Sequence, residues 1–386
     1  MSERGCGVLE QYGLEVMKTW RTRGAFLCET SQGLKLLKEW TGSDKRIQLE
    51  YEVLSALSEL GLQVDCCIRN EEGSLVSVDE DQTRYVLRDW YEGRECSTRE
   101  TGEILASAKL LAKLHQALRR LDTEGLLERK REELQREQRE RERRRELEAA
   151  QVAEREQQDV QAVAQGQEGR KVEREEGNLR TVMGEAPDVP KERTESFAEM
   201  LVRHNRELKR TRSFVKARKK KTDFELVVIG GFEKFYRQAE EAADLAEALP
   251  ILPASWWCHG EYSHHHVLLG DGTLAVTDFS KLRRGIQASD LYYFMRKILE
   301  KHRWNLKLGR RLLDTYTAVL PLAGEEWKYL YILFLYPEKY WKQMNYYVNS
   351  NKAWIPARNV DKLRVLENQF EARALFLEEL RGRWES

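Results

Sequence analysis

The 386-residue sequence has little of what would cross-link it, anchor it in a membrane or draw it to nucleic acid. Its six cysteines are scattered without a C-x-x-C pair, which argues against a disulfide framework and a structural zinc site. Basic and acidic residues are equal at 65 each, so no net charge attracts nucleic acid. No apolar run could span a membrane, and the first residues lack the apolar core of a signal peptide. We therefore expect a soluble, cytoplasmic protein without nucleic-acid partners.

The first 90 residues combine short strand-like runs with one helix. Four runs have the length and the bounding turn residues of strands: Glu15–Thr19, Gly24–Thr30, Leu34–Trp40 and Tyr85–Trp90. Apolar residues recur at helical spacing from Lys45 to Leu60, which predicts an amphipathic helix. We therefore predict a small N-terminal lobe, residues 1–90, built on a mixed sheet. Its loop Arg21–Phe26 holds one glycine and thus lacks the glycine-rich run that lets a backbone approach phosphate groups closely.

One stretch, Trp256–Lys281, brings polar side chains to both ends of a predicted hairpin. Val267–Leu269 and Leu274–Val276 are short apolar runs, and Gly270–Gly272 marks the turn between them. A histidine-rich polar loop precedes the first strand, and Asp278 follows the second. Acidic groups brought together in this way are how phosphotransferases build a site for a base and a metal ion.

The spacing of these groups resembles that of the aminoglycoside and choline kinases, whose loop reads H-G-D-x-x-x-x-N and is followed by an aspartate. Here the frame is His259-Gly260-Glu261, four residues, His266 and then Asp278. The resemblance implies a two-lobed, protein-kinase-like α+β fold with a larger, mostly helical C-terminal lobe, and ATP with Mg²⁺ or Mn²⁺ as cofactor. It makes Glu261 the catalytic base, and Asp278 and His266 the metal ligands. His259 joins Glu261 in the catalytic loop, and the family's corresponding histidine packs under that loop.

Two of the three chemical positions differ from the family's pattern. Glu261 is one methylene longer than the family's aspartate, and a misplacement of about 1 Å can cost about a hundredfold in rate. His266 offers a nitrogen where magnesium prefers oxygen. Asp278 alone matches. We therefore predict that the kinase skeleton is kept and that part of the catalytic set is lost.

A kinase-like small lobe also needs a strand lysine that binds phosphates and pairs with a helix glutamate. Lys38, in the third predicted strand, is the candidate lysine, and Glu50, in the helix that follows, is the candidate glutamate. Lys35 satisfies the strand alternation equally well, and Glu52 is the alternative on the helix. The prediction is a Lys38–Glu50 pair that holds the nucleotide.

Two later segments indicate a particular group of proteins within this fold. Asp290–Lys297 reads DLYYFMRK and Tyr336–Trp341 reads YPEKYW, and both resemble segments of the CotS-type spore coat proteins, which have the kinase fold. In the wider family the aspartate of the first segment buttresses the catalytic loop. The resemblance implies a catalytically degenerate, structural or assembly component of the spore coat, made in the mother cell, with other coat proteins as partners. The alternative is an active ATP-dependent phosphotransferase on a small-molecule hydroxyl or a coat protein, with Glu261 as base.

An insertion at 128–190 interrupts the helical lobe. It is almost entirely Glu, Arg, Gln and Ala at first, with too few large apolar residues to bury a core. Alternating charges favour i,i+4 ion pairs, so we predict an extended, exposed helix over Leu126–Gln157, without the heptad period of a coiled coil. Gln165–Pro190 is predicted to be a disordered segment that returns the chain to the helical lobe. The helical lobe is therefore split into 91–127 and 191–386.

The histidines outside this frame have plainer interpretations. His115 lies on the apolar face of a predicted helix, Thr101–Leu121, where a packed and hydrogen-bonded core histidine is expected. His264, His265 and His266 are adjacent in an extended loop. Side chains of adjacent residues point in different directions, so three in a row rarely share one ion.

Two features of the second half complete the prediction. The basic run Lys216–Lys221 is accompanied by the single aromatic Phe214, and a nucleic-acid surface would interleave more aromatic residues. We interpret the run as a solvated helix end. Apolar residues at helical spacing over Val360–Leu380 predict a single closing helix.

Overall fold

Most strands lie within the first 95 residues, and helices dominate the rest of the chain. The computed structural model describes residues 6–22, 24–164, 195–249, 252–350 and 357–385. The strands are β1 (Val16–Thr22), β2 (Ala25–Thr30), β3 (Gly33–Glu39), β4 (Gln63–Val64), β5 (Cys67–Ile68), β6 (Ser77–Val78), β7 (Arg84–Asp89), β8 (Arg94–Glu95), β9 (Trp256–Cys258), β10 (Val267–Gly270), β11 (Thr273–Val276) and β12 (Arg283–Gly285). The helices are α1 (Asp44–Glu59), α2 (Thr101–Thr123), α3 (Leu126–Ala164), α4 (Phe197–Ala217), α5 (Asp223–Glu247), α6 (Ala288–Lys301), α7 (Leu306–Thr317), α8 (Gly324–Leu335), α9 (Glu338–Asn349), α10 (Ala357–Asn368) and α11 (Phe370–Glu385).

The N-terminal lobe is built on one sheet with the strand order β1-β2-β3-β7-β5, and β6 also pairs with β7. Every described pairing in this sheet is antiparallel, not mixed as the sequence predicts. The reason is local, because consecutive strands joined by tight turns return antiparallel. β3 is a central strand that pairs with β2 and β7, and it carries Lys38 opposite Val86.

Helix α1 comes directly after strand β3 in the chain. The side chain of Ser43 caps its N-terminus by accepting the N–H of Arg46. Its apolar face buries Ile47, Val53 and neighbouring residues. Glu50 lies on this buried face and is fully shielded from solvent, so its charge needs a partner inside the protein.

The predicted hairpin forms as expected, with β10 and β11 antiparallel. It is the middle of a second sheet of order β4-β11-β10-β8. β4 comes from the N-terminal lobe and pairs parallel with β11, placing Val64 beside Val276. β8 pairs with β10 on the other side. Backbone hydrogen bonds therefore join the hairpin to segments from both lobes.

The C-terminal lobe is helical and has one large apolar core to which α2 and α4 to α11 contribute. Its closing segment differs from the sequence prediction. The single helix expected at Val360–Leu380 is two helices, α10 and α11, which meet at Gln369. The side-chain amide of Gln369 donates to the carbonyl of Glu300 at 3.1 Å, a contact that fixes the chain where the two helices meet.

Residues 131–195 form a compact unit separate from 1–130 and 196–386. The sequence analysis starts the insertion at Glu128, whereas the first turn of α3, up to Lys130, belongs to the main unit. Leu127 is buried in the core of that unit, and Lys130 forms an ion pair with Glu59. The return predicted at Gln165–Pro190 lies outside the described residues. In the part of the chain that the structure describes, no helix has the length and apolar character that a membrane span requires.

Candidate active site

Asp290, at the start of α6, supports the loop that follows β9. Its carboxylate accepts the backbone N–H groups of His259 at 2.8 Å and Gly260 at 3.0 Å. His115 donates to it at 3.2 Å through Nε2, and its Nδ1 accepts from the hydroxyl of Tyr316 at 2.7 Å. Burial raises the pKa of Asp290, but hydrogen bonds and charge from His115 outweigh burial and lower it overall. This carboxylate therefore stays ionised and buttresses the loop, and His115 is the core residue that the sequence predicts.

His259 lies fully buried beneath the loop. Its Nε2 donates to the carbonyl of Thr277 at 3.0 Å, and its Nδ1 accepts the N–H of Glu261 at 3.3 Å. Burial lowers its pKa to about 4, so the ring is neutral at pH 7. Both ring nitrogens are engaged by backbone, and His259 is thus a positioning residue, not the catalytic one that the sequence suggests. Gly260 has φ +86°, and a Cβ there would lie 2.0 Å from the carbonyl oxygen of Lys281, so the loop requires glycine.

Glu261 presents its side chain to solvent at the exposed side of the same loop. Its backbone carbonyl accepts a hydrogen bond from Nδ1 of His266 at 2.9 Å. The ring of His266 is nearly parallel to that of His259, with 16° between the planes and 5.7 Å between the centroids. The loop therefore fixes the orientation of His266, while the Glu261 side chain remains exposed to solvent.

Asp278 is the point at which both lobes meet. It adopts a left-handed backbone conformation with φ +61° and ψ +66°. Its Oδ1 lies 3.3 Å from Nζ of Lys38, and its Oδ2 lies 3.7 Å from Nε2 of His266. Burial raises the pKa of Asp278, but the charge of Lys38 and the other favourable contacts outweigh burial and lower it to about 2. The structure thus brings two other predicted site residues, Lys38 and His266, to the ionised carboxylate of Asp278.

The predicted Lys38–Glu50 pair is replaced by different partners. Glu50 contacts Nη2 of Arg88 at 2.6 Å and Nε of Arg46 at 3.3 Å, while Lys38 faces Asp278. The alternative lysine, Lys35, pairs with Asp89 at 2.8 Å. A guanidinium has five N–H donors in a fixed planar fork, so Arg88 can contact the carboxylates of Glu50 and Asp65 with different nitrogens.

Arg88 and Asp65 are functional candidates that sequence analysis missed. Besides Glu50, Arg88 contacts Asp65, with 3.7 Å between Nη1 and Oδ2. Asp65 in turn accepts the backbone N–H of Asp278 at 3.0 Å. Burial raises the pKa of Asp65 to about 7, against the opposing charge of Arg88. The available signal was that Arg88 directly continues the apolar run Val86-Leu87 of β7, where a charge predicts a buried partner without naming it.

The three adjacent histidines point to three different partners. His264 contacts Nζ of Lys301 at 3.0 Å, His265 pairs with Glu95, and His266 turns toward Asp278. Among the described residues, no group of three or more His, Cys, Asp and Glu side chains is arranged to hold a metal ion.

No family model and no curated protein matches the sequence. The fold, however, is similar to those of solved phosphotransferases. An aminoglycoside phosphotransferase from Alicyclobacillus acidocaldarius has a TM-score of 0.73 at 16% identity, over 98% of this chain and 96% of that one. A spectinomycin phosphotransferase solved with ADP and spectinomycin has a TM-score of 0.53 at 9% identity, over 94% of each chain. At these identities the likeness shows the fold alone, and the chain has the two-lobed, aminoglycoside-phosphotransferase-like kinase fold.

Proposed function

We propose that this chain binds ATP together with a divalent metal ion between its lobes and has largely lost phosphoryl transfer. The observation that carries the proposal is the 3.3 Å contact between Lys38 of the small lobe and Asp278 of the large lobe. In kinase-type sites a strand lysine binds the phosphates, and an aspartate in this position binds the metal ion that bridges them. The solved spectinomycin phosphotransferase, which has the same fold, was crystallised with ADP.

The residues divide into those that hold the cofactor and those that would use it. Lys38 supplies positive charge for the phosphates, and Asp278, ionised at neutral pH, supplies oxygen for the metal ion. The base position holds Glu261, whose longer side chain displaces the accepting oxygen by about a bond length. Nucleotide binding is therefore retained better than transfer.

We further propose that the protein acts as a structural or assembly component of a bacterial spore coat, made in the mother cell, with other coat proteins as partners. The support is the sequence resemblance carried by Asp290–Lys297 and Tyr336–Trp341. In the structure these two segments contact each other, because the hydroxyl of Tyr292 donates to Glu338 at 2.9 Å. The resemblance therefore rests on a connected part of the helical lobe. Detection of the protein in coat extracts of spores supports the proposal, and its confinement to vegetative cells contradicts it.

A second candidate function is active phosphoryl transfer from ATP to a small-molecule hydroxyl or a coat protein. The observation in its favour is that the Glu261 carboxylate is exposed on a loop that Asp290 holds firmly. A supported carboxylate with access to substrate meets the basic requirement for a general base. ATP turnover by the natural protein decides between the two functions.

Thermal unfolding in the presence of a non-hydrolysable ATP analogue tests the nucleotide site. A ligand at 100 times its Kd stabilises the folded state by about 2.7 kcal/mol, so the analogue with Mn²⁺ or Mg²⁺ should raise the Tm. Asp278→Asn and Lys38→Met should each remove most of the rise. Asp271→Asn, at an exposed turn of the same hairpin, is the matched control and should keep it. If millimolar analogue leaves the Tm unchanged with either ion, the nucleotide site does not exist.

A further inference from the structure

The structure determines which nitrogen of His266 can bind a ligand. Nδ1 lies 2.9 Å from the backbone carbonyl oxygen of Glu261, and a carbonyl oxygen can only accept a hydrogen bond. Nδ1 must therefore carry the proton. In the neutral ring the lone pair is then on Nε2, the nitrogen that faces Oδ2 of Asp278.

The distance between these two atoms fits a shared ion better than a direct bond. At 3.7 Å, Nε2 and Oδ2 are too far apart for a hydrogen bond. Ligand bonds of about 2.0–2.2 Å allow two donors of one ion to be up to about 4.4 Å apart, so this separation is compatible with a common metal ion. The other carboxylate oxygen, Oδ1, faces Lys38 and leaves Oδ2 for the metal.

The surroundings also resemble those of metal-binding histidines. Such histidines usually donate their second ring N–H to a carbonyl or a carboxylate, which fixes the tautomer and the ring orientation. His266 does this through Glu261, and its ring lies parallel to the buried, neutral ring of His259. The lone pair is therefore held in place before any ion arrives.

We infer that His266 and Asp278 form a nitrogen–oxygen pair that selects a first-row transition-metal ion, such as Mn²⁺, Co²⁺ or Zn²⁺, over Mg²⁺. Magnesium requires oxygen ligands, whereas a first-row transition-metal ion also accepts an imidazole nitrogen, Mn²⁺ less strongly than Co²⁺ or Zn²⁺. The donor set thus does not fit the ion that the kinase fold ordinarily uses. The inference rests on the proposed function, because phosphates of the nucleotide would complete the coordination of the ion.

Pulsed electron paramagnetic resonance of bound Mn²⁺ tests the inference directly. The protein is labelled with ¹⁵N-histidine, and spectra are recorded with Mn²⁺ alone and with Mn²⁺ plus a non-hydrolysable ATP analogue. We expect a histidine-nitrogen coupling that is lost in His266→Asn. His265→Asn is the matched control, since that side chain is exposed and pairs with Glu95, and it should keep the coupling. The ratio of Mn²⁺ to Mg²⁺ affinity should fall by about tenfold or more in His266→Asn, since loss of even an outer-shell partner typically costs about 10–100-fold.

Three results overturn the inference: no bound Mn²⁺ under either condition, bound Mn²⁺ without histidine coupling, or an unchanged affinity ratio in His266→Asn. The two proposals fail separately. If the analogue raises the Tm equally with Mg²⁺ and Mn²⁺ and no coupling appears, nucleotide binding stands and the metal preference falls. If Mn²⁺ shows the His266 coupling while the analogue has no effect on Tm, the metal pair stands and the nucleotide proposal falls.

Discussion

The carboxylate of Asp65 accepts the backbone N–H of Asp278 at 3.0 Å, across 213 residues of sequence. Asp65 is itself held by Arg88, which also binds Glu50 on α1. A left-handed backbone at a residue other than glycine persists only where its surroundings hold it. The conformation of Asp278 in the large lobe is therefore maintained by a buried charge cluster in the small lobe.

Arg88→Met should destabilise the protein by about 3–5 kcal/mol, because the buried side chains of Glu50 and Asp65 lose the guanidinium that they share, and Glu50 keeps only Arg46. Urea unfolding at pH 7 measures the change. Arg120→Met is the control, since Arg120 makes an exposed i,i+4 pair with Glu124, and its loss should change the stability little. Equal effects of the two substitutions would show that the cluster around Arg88 is not a buried network.

Arg88 also shows that single site residues can be predicted from the sequence, whereas their partners cannot. Lys38 and Asp278 were predicted individually, because each follows from strand order and from motif spacing. Their direct contact was not predicted, and neither was the ion pair of Glu50 with Arg88 in place of Lys38. The sequence shows that Arg88 follows apolar residues in a strand. Which carboxylates pair with Arg88 depends on which distant segments the fold brings together.

His259 and His264 should make the stability of the protein fall as the pH drops from about 6.5 towards 4, against the opposite contribution of Asp65, whose pKa is raised to about 7. Burial, the first cause in each case, lowers the pKa of both His259 and His264 to about 4. The unfolded chain, with ordinary histidines, binds protons in this range that the folded chain does not, so acid favours unfolding. His264→Gln should reduce the slope of unfolding free energy against pH by as much as about 1.4 kcal/mol per pH unit.

Urea unfolding at several pH values between 7 and 4.5 measures that slope. His259, whose pKa is lowered in the same way, remains in the His264→Gln variant and should keep its own part of the slope. An unchanged slope in His264→Gln would contradict the argument that a buried, neutral His264 contributes to acid sensitivity.

Replacement of residues 136–194 by a flexible Gly/Ser linker should change the Tm of the main unit by little. The side chains of 135–147 are exposed, and the loop-closure cost grows only slowly with length. Leu127→Ala in the full chain should cost about 2–5 kcal/mol, since this residue is buried in the core. Calorimetry of both variants compares the insertion with the first turn of α3. A large loss of stability on replacement would show that the insertion contributes to the core.

The double substitution Glu261→Asp with His266→Asn should create Mg²⁺-dependent ATP hydrolysis. The first change returns the base to the reach of an aspartate, and the second returns an oxygen ligand to the metal ion. Each single variant should do little, because base and metal ligands act as a unit. A phosphate-release assay measures turnover, with Asp278→Asn added to the double variant as the inactive control. Turnover by the natural protein at about 1–100 per second would instead establish Glu261 as a competent base.

The loop itself was the most predictable part of the site. The hairpin and the support from Asp290 follow from short-range patterns and a recognisable spacing, and both form as expected. The role of His259 was harder to predict, because the same residue type serves as catalyst or as support according to what its ring nitrogens contact. Those contacts come from the backbone at Thr277 and Glu261, which only the folded loop places.

The parallel pairing of β4 with β11 limits how the molecule can move. Because Gln63 and Val64 are hydrogen-bonded into the hairpin that carries Asp278, the small lobe cannot swing away as a rigid body without breaking backbone hydrogen bonds. The small lobe is therefore anchored beside Asp278, and amide hydrogens of Ala275 and Val276 in the middle of this sheet should exchange more slowly than those of the edge strand β1.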